Sequence, residues 1–250
     1  CIAHGAALGA SSPDGLHETI ERVKAATVTK DFSLHSGERL AAIDPPVIYP
    51  DHFARYQYVC DDMHLRGRGM FGADIFCGSG YGANLLAERL DATILGIDGS
   101  EEAVGRAAGQ FIKSNLFFAA KIFPFTLPIG VFDFVASMES VEHVLDFPAF
   151  CQTICGSLKP AGRLYLSAPN EERMVLARLN YHWHYQHFRP GELSEIMQPM
   201  GMREIACFST SMNVERNGDF LAFYPYQPTG HRLLRADAGD TLFLVLEKTA

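Results

Sequence analysis

The sequence predicts a doubly wound α/β domain, in which helices cover both faces of a mostly parallel sheet. The first observation is the stretch at residues 74–82, where an apolar run ends in three glycines at alternate positions and a helical pattern follows. Glycine accepts positive φ and lets a ligand approach the backbone, and the start of the next helix offers N–H groups to that ligand. The second observation is the alternation of short apolar runs with helical patterns along the rest of the chain. Such alternation is typical of a parallel sheet, which binds ligands at the carboxyl ends of its strands.

The predicted elements follow one another at short spacing. After the glycines, residues 84–90 form the first crossover helix, and residues 92–97 form a second buried strand that ends at Asp98. Ser100 then caps a helix that extends to about Ser114. Further strands are predicted at residues 116–120, 131–137, 162–168, 202–209 and 241–247, and further helices at residues 147–158 and 190–200.

The length of 250 residues and the hydrophobic content of 48% suit one substantial core. We therefore predict a single domain over residues 37–250, preceded at residues 1–36 by a tail or linker remnant rich in Ala, Gly, Ser and Thr. Within the domain, residues 52–59 carry aromatic side chains at helical spacing. This helix covers the sheet edge or forms a lid whose Arg55 and Tyr56 close over a ligand, and the two interpretations are compatible.

Composition and charge exclude several classes of function. The net charge of −8 argues against a nucleic-acid surface, which is normally basic. No run of about 18 apolar residues occurs, so we expect no membrane span. The six cysteines are scattered, and Cys151 and Cys155 lack a second Cys or His pair at zinc-site spacing, so we predict buried core thiols in a reduced, cytoplasmic protein. The chain begins at Cys1 rather than Met, which is also consistent with a fragment of a longer polypeptide.

The acids that belong to the first two strands narrow the class of cofactor. Asp98 ends the second strand sixteen residues after Gly82, where a carboxylate can accept both hydroxyls of a ribose held against the glycines. Dinucleotide sites such as those for NAD usually space their glycines G-x-G-x-x-G, whereas this chain has G-x-G-x-G after Asp74. We therefore expect an adenosine cofactor, and an NAD-dependent oxidoreductase is the disfavoured alternative.

Four ordered motifs resemble those of the class I S-adenosylmethionine-dependent methyltransferases. They lie at residues 74–82, 97–100, 132–144 and 158–170, and the resemblance extends over about residues 37–200. It implies a Rossmann-like sheet of seven strands, mostly parallel with an antiparallel last strand. It also implies S-adenosylmethionine as the cofactor and methyl transfer as the activity, but it says little about the acceptor.

The same resemblance implies which residues bind the cofactor. The methionine end would lie on the backbone of Cys77, Gly78 and Gly80, with Asp74 near its ammonium group. Asp98 would hold the ribose, Ala120 would lie near the adenine, and Met138 would lie against the adenosine or the sulfonium. We also expect Arg55 on the predicted lid helix and Gly99 beside Asp98 to contact the cofactor. Many relatives carry an Asp after the third strand to receive the adenine amino group. This chain has Ala and Lys there, so backbone groups or another side chain must replace that contact.

Methyl transfer to a hydroxyl or a protonated amine needs a base as well as correct placement of the reactants. His143 is the candidate base, with Glu142 beside it, because an imidazole titrates near working pH. Alternatively, Glu142 and His143 form a structural pair that orients the loop after the fourth strand. With Glu139 they also form E-x-x-E-H, which resembles a pattern that quinone O-methyltransferases use to hold a divalent ion. Because a Glu-His pair is common here across the superfamily, we assign no metal.

Two further segments of the sequence indicate where the acceptor would bind. Residues 181–188 contain three histidines and the only tryptophan, and they should overhang the entrance for the acceptor. We expect most of them to pack around Tyr56, with His184 or His187 reaching the pocket. The turn-rich residues 224–230 either shape the pocket or form a dimer contact, which leaves a homodimer open. We predict a methyltransferase for a small-molecule or sugar-type acceptor, acting at oxygen, and the alternative is a non-catalytic S-adenosylmethionine-binding regulatory or scaffold domain.

Overall fold

The computed structural model describes residues 50–178, 183–210, 213–216, 219–223, 234–235 and 238–249. The predicted tail at residues 1–36 and the turn-rich segment at residues 224–230 lie outside these ranges, as do Tyr181 and His182. The four motifs that resemble methyltransferase motifs lie within the described residues.

Helices and strands alternate along the described chain. The α-helices are α1 (Pro50–His64), α2 (Tyr81–Arg89), α3 (Glu101–Gln110), α4 (Phe147–Ser157) and α5 (Glu192–Met197). The strands are β1 (Met70–Ile75), β2 (Ala92–Asp98), β3 (Leu116–Ala120), β4 (Phe132–Ser137), β5 (Leu158–Pro169), β6 (Met202–Thr210), β7 (Asn213–Arg216), β8 (Asp219–Phe223), β9 (Leu234–Arg235) and β10 (Thr241–Lys248). Short 3₁₀ helices lie at Val141–His143, Leu176–Arg178 and Gln198–Met200.

One sheet contains most of the strands, in the order β3-β2-β1-β4-β5-β10-β6-β9. Strands β3, β2, β1, β4 and β5 pair in parallel, whereas β10 runs antiparallel to both β5 and β6. This confirms the predicted sheet with its antiparallel last strand. The two-residue β9 extends one edge, and β7 and β8 form a separate hairpin. Because the chain order reverses between β1 and β4, their carboxyl ends frame the crevice in which such sheets bind ligands.

The core lies on both faces of the central strands. Strand β5 is buried over residues 162–169, and β10 is buried over residues 241–246. Strands that are covered on both faces read as continuous apolar runs rather than as an alternating pattern, which is why the sequence revealed them. One apolar cluster joins α1 and α2 to the sheet and includes Tyr56, Leu86, Phe134, Tyr165 and Phe243.

Helix α3 is shorter than predicted for a local reason. It ends at Gln110 rather than near Ser114. The side-chain amide of Asn115 donates to the carbonyl oxygens of Ala87 and Ala92, each over 2.9 Å. These two bonds hold the loop before β3 against the neighbouring elements, so the chain leaves the helix early.

Two other boundaries differ from the prediction. The helix expected at residues 190–200 is the shorter α5 followed by a 3₁₀ turn, because Pro199 lacks the N–H group that would continue an α-helix. The strand expected at residues 162–168 begins earlier, because residues 158–161 also belong to β5. This added part of the strand is irregular, because the register against β4 shifts between Phe132 and Phe134.

The described cysteines are free thiols. Cys151 and Cys155 are fully buried, which confirms the predicted core positions. Burial raises the pKa of the Cys155 thiol to about 12, so this side chain stays protonated and unreactive at neutral pH. Among the helices of the described ranges, none has the length and apolar composition that crossing a membrane requires.

Gly72 on β1 lies against a buried aromatic ring and allows a stability test. A Cβ atom there would lie 2.3 Å from the ring of Phe134 on β4. We expect Gly72→Ala to lower the free energy of unfolding by about 1–3 kcal/mol, the usual cost of overpacking. Gly105→Ala on the exposed face of α3 is the control, because nothing lies within 4 Å of its Cβ position. Urea denaturation of both variants checks the prediction, and equal stabilities would contradict it.

Candidate active site

The glycine loop, residues 76–80, turns the chain from the end of β1 into α2. Gly78 and Gly80 have φ values of 53° and 78°, in the left-handed region that favours glycine. A Cβ atom on Gly80 would lie 2.6 Å from the Cβ atom of Ala107 on α3. Both glycines are therefore required by the turn, and Gly80 also by the close approach of α3.

The N–H groups of the glycine loop donate to acceptors within the protein. Cys77 donates to the carbonyl of Ile97 over 3.0 Å, and Gly80 donates to the carbonyl of Cys77 over 2.9 Å. Gly78 donates to Oδ2 of Asp98 over 2.9 Å. The N–H groups of Cys77 and Gly78 thus fix the loop to the end of β2, and that of Gly80 closes the loop on itself. The N–H groups that the sequence predicts for ligand binding are those at the start of α2, and that prediction concerns other groups than these three.

Asp98 lies buried at the carboxyl end of β2. Its Oδ1 accepts the N–H of Ser100 over 2.9 Å, and its Oδ2 accepts the N–H of Gly78. The Ser100 hydroxyl oxygen in turn accepts the N–H of Ala103, which caps α3 as predicted. A carboxylate oxygen can accept more than one hydrogen bond. Asp98 is thus fixed in a position suited to ribose hydroxyls, with Gly99 between it and the cap.

Asp74 is the second acid, and it is fully buried in β1. The hydroxyl of Tyr56 donates to Oδ1 over 2.9 Å, whereas Oδ2 has no hydrogen-bond partner among the described residues. Burial raises the pKa of Asp74 to about 7, although the Tyr56 hydrogen bond and the backbone N–H of Ala83 in the first turn of α2 oppose that shift. A buried carboxylate oxygen without a donor is costly. This atom therefore fits a ligand that brings a positively charged donor, such as an ammonium group.

Arg55 connects α1 to two other parts of the site. Its side chain is buried, and Nη1 donates to Oδ2 of Asp51 over 3.2 Å and to the Thr210 hydroxyl over 2.6 Å. Nη2 lies 3.7 Å from Oε1 of Glu139, and Nε has no partner in the part of the chain that the structure describes. Arg55 therefore ties α1 to the end of β6 and to the loop after β4.

Helix α1 also contacts the start of α2. The rings of Tyr56 and Tyr81 pack edge to face with centroids 5.4 Å apart, and His52 hydrogen-bonds the Tyr81 hydroxyl. A Cβ atom on Gly82 would lie 2.2 Å from the ring of Tyr56. Only glycine at this position lets Tyr56 reach Asp74, so the third glycine of the motif serves that contact rather than the turn.

The chain leaves β4 through the buried Met138 and then through Glu139, which has a φ of 48°. Such a value is uncommon outside glycine and marks local strain. Ser167 on β5 stabilises it, because its hydroxyl oxygen accepts the N–H of Glu139 over 3.0 Å and its proton is donated to Oε1 over 2.7 Å. Burial raises the pKa of the Glu139 carboxyl, and the positive charge of Arg55 opposes that shift.

His143 ends the 3₁₀ helix that follows β4, and its side chain is half-buried. Its Nδ1 lies 3.1 Å from the carbonyl oxygen of Trp183, and its Nε2 lies 3.8 Å from Oε1 of Glu142. A carbonyl oxygen can only accept, so Nδ1 carries the hydrogen and Nε2 carries the lone pair in the neutral ring. His143 thus has the tautomer that a general base needs.

The loop after β5 brings a second imidazole to His143. The rings of His143 and His184 are perpendicular, with centroids 4.8 Å apart, and Tyr185 donates its N–H to the Glu142 carbonyl over 2.8 Å. Ligand atoms of Glu142, His143 and His184 lie within 4.8 Å of one another. Among the described residues, this group does not include Glu139, so the geometry differs from the E-x-x-E-H grouping in the sequence.

Two expectations about packing and adenine are refined by the structure. In the described part of the histidine-rich stretch, His184 and Tyr185 contact the 3₁₀ helix after β4, and Phe188 packs on α4. The ring contacts of Tyr56 are with α1 and α2. Ala120 ends β3 and is half-buried. The next residue, Lys121, donates its N–H to the carbonyl of Asp98 over 2.8 Å, so this backbone group already has an acceptor.

Sequence reasoning missed the residues that act across long chain separations. Thr210 meets Arg55 across 155 positions, and Ser167 meets Glu139 across 28. A lone Ser or Thr at a strand end has no local pattern that marks such a contact. The available signal was that Glu139, Ser167 and Thr210 lie at or just after the carboxyl ends of β4, β5 and β6, at one edge of the sheet.

Comparisons with known proteins agree with this architecture. The profile of a protein family described as methyltransferase domain matches residues 66–206. The ubiquinone biosynthesis O-methyltransferase of Methylobacterium nodulans is 34% identical over 100 residues, which cover 39% of this chain and 40% of that protein. The protein of the same name from Caulobacter vibrioides is 27% identical over 187 residues, or 71% of each chain. The match thus spans less than half the length of the first relative and more than two thirds of the second.

Solved structures show the same fold. The N-methyltransferase NodS of Bradyrhizobium japonicum WM9, in complex with S-adenosyl-L-homocysteine, has a TM-score of 0.60 at 15% identity and covers 94% of this chain and 99% of its own. An S-adenosylmethionine-dependent methyltransferase from Mesorhizobium loti has a TM-score of 0.58 at 16% identity, over 78% of this chain and 98% of its own. At these identities the likeness concerns the fold alone. With the family match over more than half of the sequence, the chain belongs to the class I S-adenosylmethionine-dependent methyltransferases.

Proposed function

We propose that this methyltransferase moves the methyl group of S-adenosylmethionine to a hydroxyl oxygen of a small-molecule acceptor. The observation that carries the proposal is His143, whose Nδ1 is engaged by the Trp183 carbonyl so that Nε2 holds the lone pair. An oxygen acceptor must lose a proton during transfer, and this nitrogen can receive it. The names of the two ubiquinone biosynthesis O-methyltransferases above support oxygen as the atom methylated.

The cofactor would lie across the carboxyl ends of β1, β2 and β4. We assign its ammonium group to Oδ2 of Asp74, which lacks a donor, and its carboxylate to the buried Arg55. The other cofactor contacts are assigned to the backbone of Cys77, Gly78 and Gly80, to Asp98 and Gly99 at the ribose, to Ala120 near the adenine, and to Met138.

The bound cofactor supplies an electrophilic methyl group on a sulfonium. Nε2 of His143 would take the proton of the acceptor hydroxyl as the oxygen bonds to that methyl carbon and the electron pair of the carbon–sulfur bond returns to sulfur. The positive charge then passes to the imidazole. Glu142, whose Oε1 lies 3.8 Å from Nε2, stabilises the resulting imidazolium.

The finer identity of the acceptor rests on the sequence. A sugar-type acceptor, a homodimer and a cytoplasmic location stay predictions. Incubating the protein with S-adenosylmethionine labelled in its methyl group and with fractionated cell metabolites tests the proposal directly. We expect label in a small molecule as an O-methyl ether, and label confined to amines or to no fraction would contradict it.

The raised pKa of Asp74 predicts how cofactor binding depends on pH. Below pH 7 this carboxyl is increasingly protonated and neutral, so it attracts an ammonium group less. With a free-state pKa of about 7, the Kd for S-adenosylhomocysteine should be about eightfold larger at pH 6 than at pH 7.5.

Calorimetric titration at the two pH values measures this ratio. Asp74→Asn is the matched control, since it keeps an acceptor for Tyr56 but cannot ionise, and its weaker binding should depend much less on pH. A wild-type Kd that does not change, or an equally steep change in Asp74→Asn, would show that another group is responsible.

Loss of the proposed base should affect turnover rather than cofactor binding. We expect His143→Ala to lower kcat by roughly 100-fold or more, the usual scale for general-base catalysis, and to leave the Kd for S-adenosylhomocysteine within about threefold. The exposed His64 at the end of α1 provides the control variant His64→Ala, which should keep full activity. Steady-state kinetics with the acceptor that the labelling experiment yields measures both effects, and an unchanged kcat in His143→Ala refutes the role.

A further inference from the structure

We propose that His187 is a positioning residue that acts through His184: it keeps the hydrogen of His184 on Nδ1 and the lone pair on Nε2, the nitrogen that would meet the acceptor. The proposal rests on the methyl transfer proposed above, because it gives His184 a place beside the base His143. Neither His184 nor His187 has a role in the steps described so far.

Three imidazoles form a chain that leads from the acceptor side into the protein. His184 packs perpendicular to His143, and both side chains are half-buried. Nδ1 of His184 lies 2.5 Å from Nε2 of His187, and Nδ1 of His187 lies 2.5 Å from the carbonyl oxygen of Met174. His187 itself is only 4% exposed, so its partners are fixed by the fold.

The carbonyl at the inner end determines where the hydrogens lie. The oxygen of Met174 can only accept, so Nδ1 of His187 must donate to it. In the neutral ring Nε2 of His187 then has the lone pair and accepts from Nδ1 of His184. His184 consequently carries its hydrogen on Nδ1 and its lone pair on Nε2, the same tautomer that the Trp183 carbonyl gives to His143.

The two outer imidazoles thus both carry the lone pair on Nε2, and they lie on the loops that follow β4 and β5. We infer that Nε2 of His184 accepts a hydrogen bond from the acceptor next to the hydroxyl that His143 deprotonates. Without His187, Nδ1 of His184 would lose its acceptor, and the ring could place its hydrogen on Nε2 and oppose a donor on the acceptor. Oε2 of Glu171 lies 3.7 Å from Nδ1 of His187 and favours any positive charge that reaches the inner ring.

The test is the tautomer of His184, measured by long-range ¹⁵N–¹H NMR on protein labelled at histidine. The spectra are recorded without cofactor or acceptor and in the presence of EDTA, so the result does not depend on methyl transfer or on bound metal. His64→Gln supplies a control spectrum in which only an exposed ring is lost. We expect wild-type His184 to be protonated at Nδ1 and unprotonated at Nε2, and a hydrogen on Nε2 would overturn the proposal.

Two variants extend the test to the role of His187. His187→Leu should shift His184 toward the Nε2-protonated tautomer, whereas His187→Gln, whose amide oxygen can accept from Nδ1, should retain the wild-type tautomer. With the acceptor found in the labelling experiment, His187→Leu should raise KM about tenfold, as expected for one lost hydrogen bond, while the Kd for S-adenosylhomocysteine stays unchanged.

The outcomes separate the two proposals. An unchanged His184 tautomer in folded His187→Leu overturns the positioning role whatever the protein methylates. If His187→Leu does not fold, the wild-type spectrum and His187→Gln still decide, because loss of the Nδ1-protonated tautomer in His187→Gln contradicts the proposed acceptor role of that side chain. Absence of methyl transfer in the wild type refutes the proposed function and leaves the tautomer result intact.

Discussion

The carboxylate of Asp74 is buried inside the sheet, where one oxygen receives the Tyr56 hydroxyl and the other has no donor among the described residues. Burying a charge is costly unless it is paired, and the raised pKa of this group expresses that cost. Two neighbouring helices position residues around this carboxylate. Helix α1 delivers Tyr56, and Gly82 leaves the space through which Tyr56 reaches the carboxylate. A ligand with a positively charged hydrogen-bond donor would pair with the second oxygen of this carboxylate.

The sheet order gathers the remaining groups around that carboxylate. Asp98 ends β2, the Met138–Glu139 turn follows β4, and the histidine-rich loop follows β5, so one edge of the sheet presents them all. Long-range hydrogen bonds then set their orientation: Ser167 secures the backbone of Glu139, and the Trp183 carbonyl sets the tautomer of His143. In this account Asp74 and Asp98 bind the cofactor, and the imidazoles of His143 and His184 contact the acceptor.

The fold could be predicted because its signals are local. Glycines at positive φ, a serine cap before α3 and apolar runs buried on both faces each mark an element within a few residues. The proposed cofactor acids Asp74 and Asp98 lie in the last two residues of their strands, which is why their positions could be read from the sequence. The orientation of the site side chains was not predictable, because it depends on residues far away in the sequence. Arg55 donates to Thr210 across 155 positions, and His143 contacts the Trp183 carbonyl across 40. The direction of the Gly78 N–H group was not predictable for the same reason, because its acceptor, Asp98, lies at the end of β2.

A structure of the protein with S-adenosylhomocysteine would test the central claim most directly. The account predicts the amino group of the ligand within hydrogen-bond distance of Oδ2 of Asp74 and its ribose hydroxyls on Asp98. It also predicts that the sulfur faces the side of the pocket that holds Nε2 of His143. A ligand bound away from Asp74, with Oδ2 still lacking a donor, would contradict it.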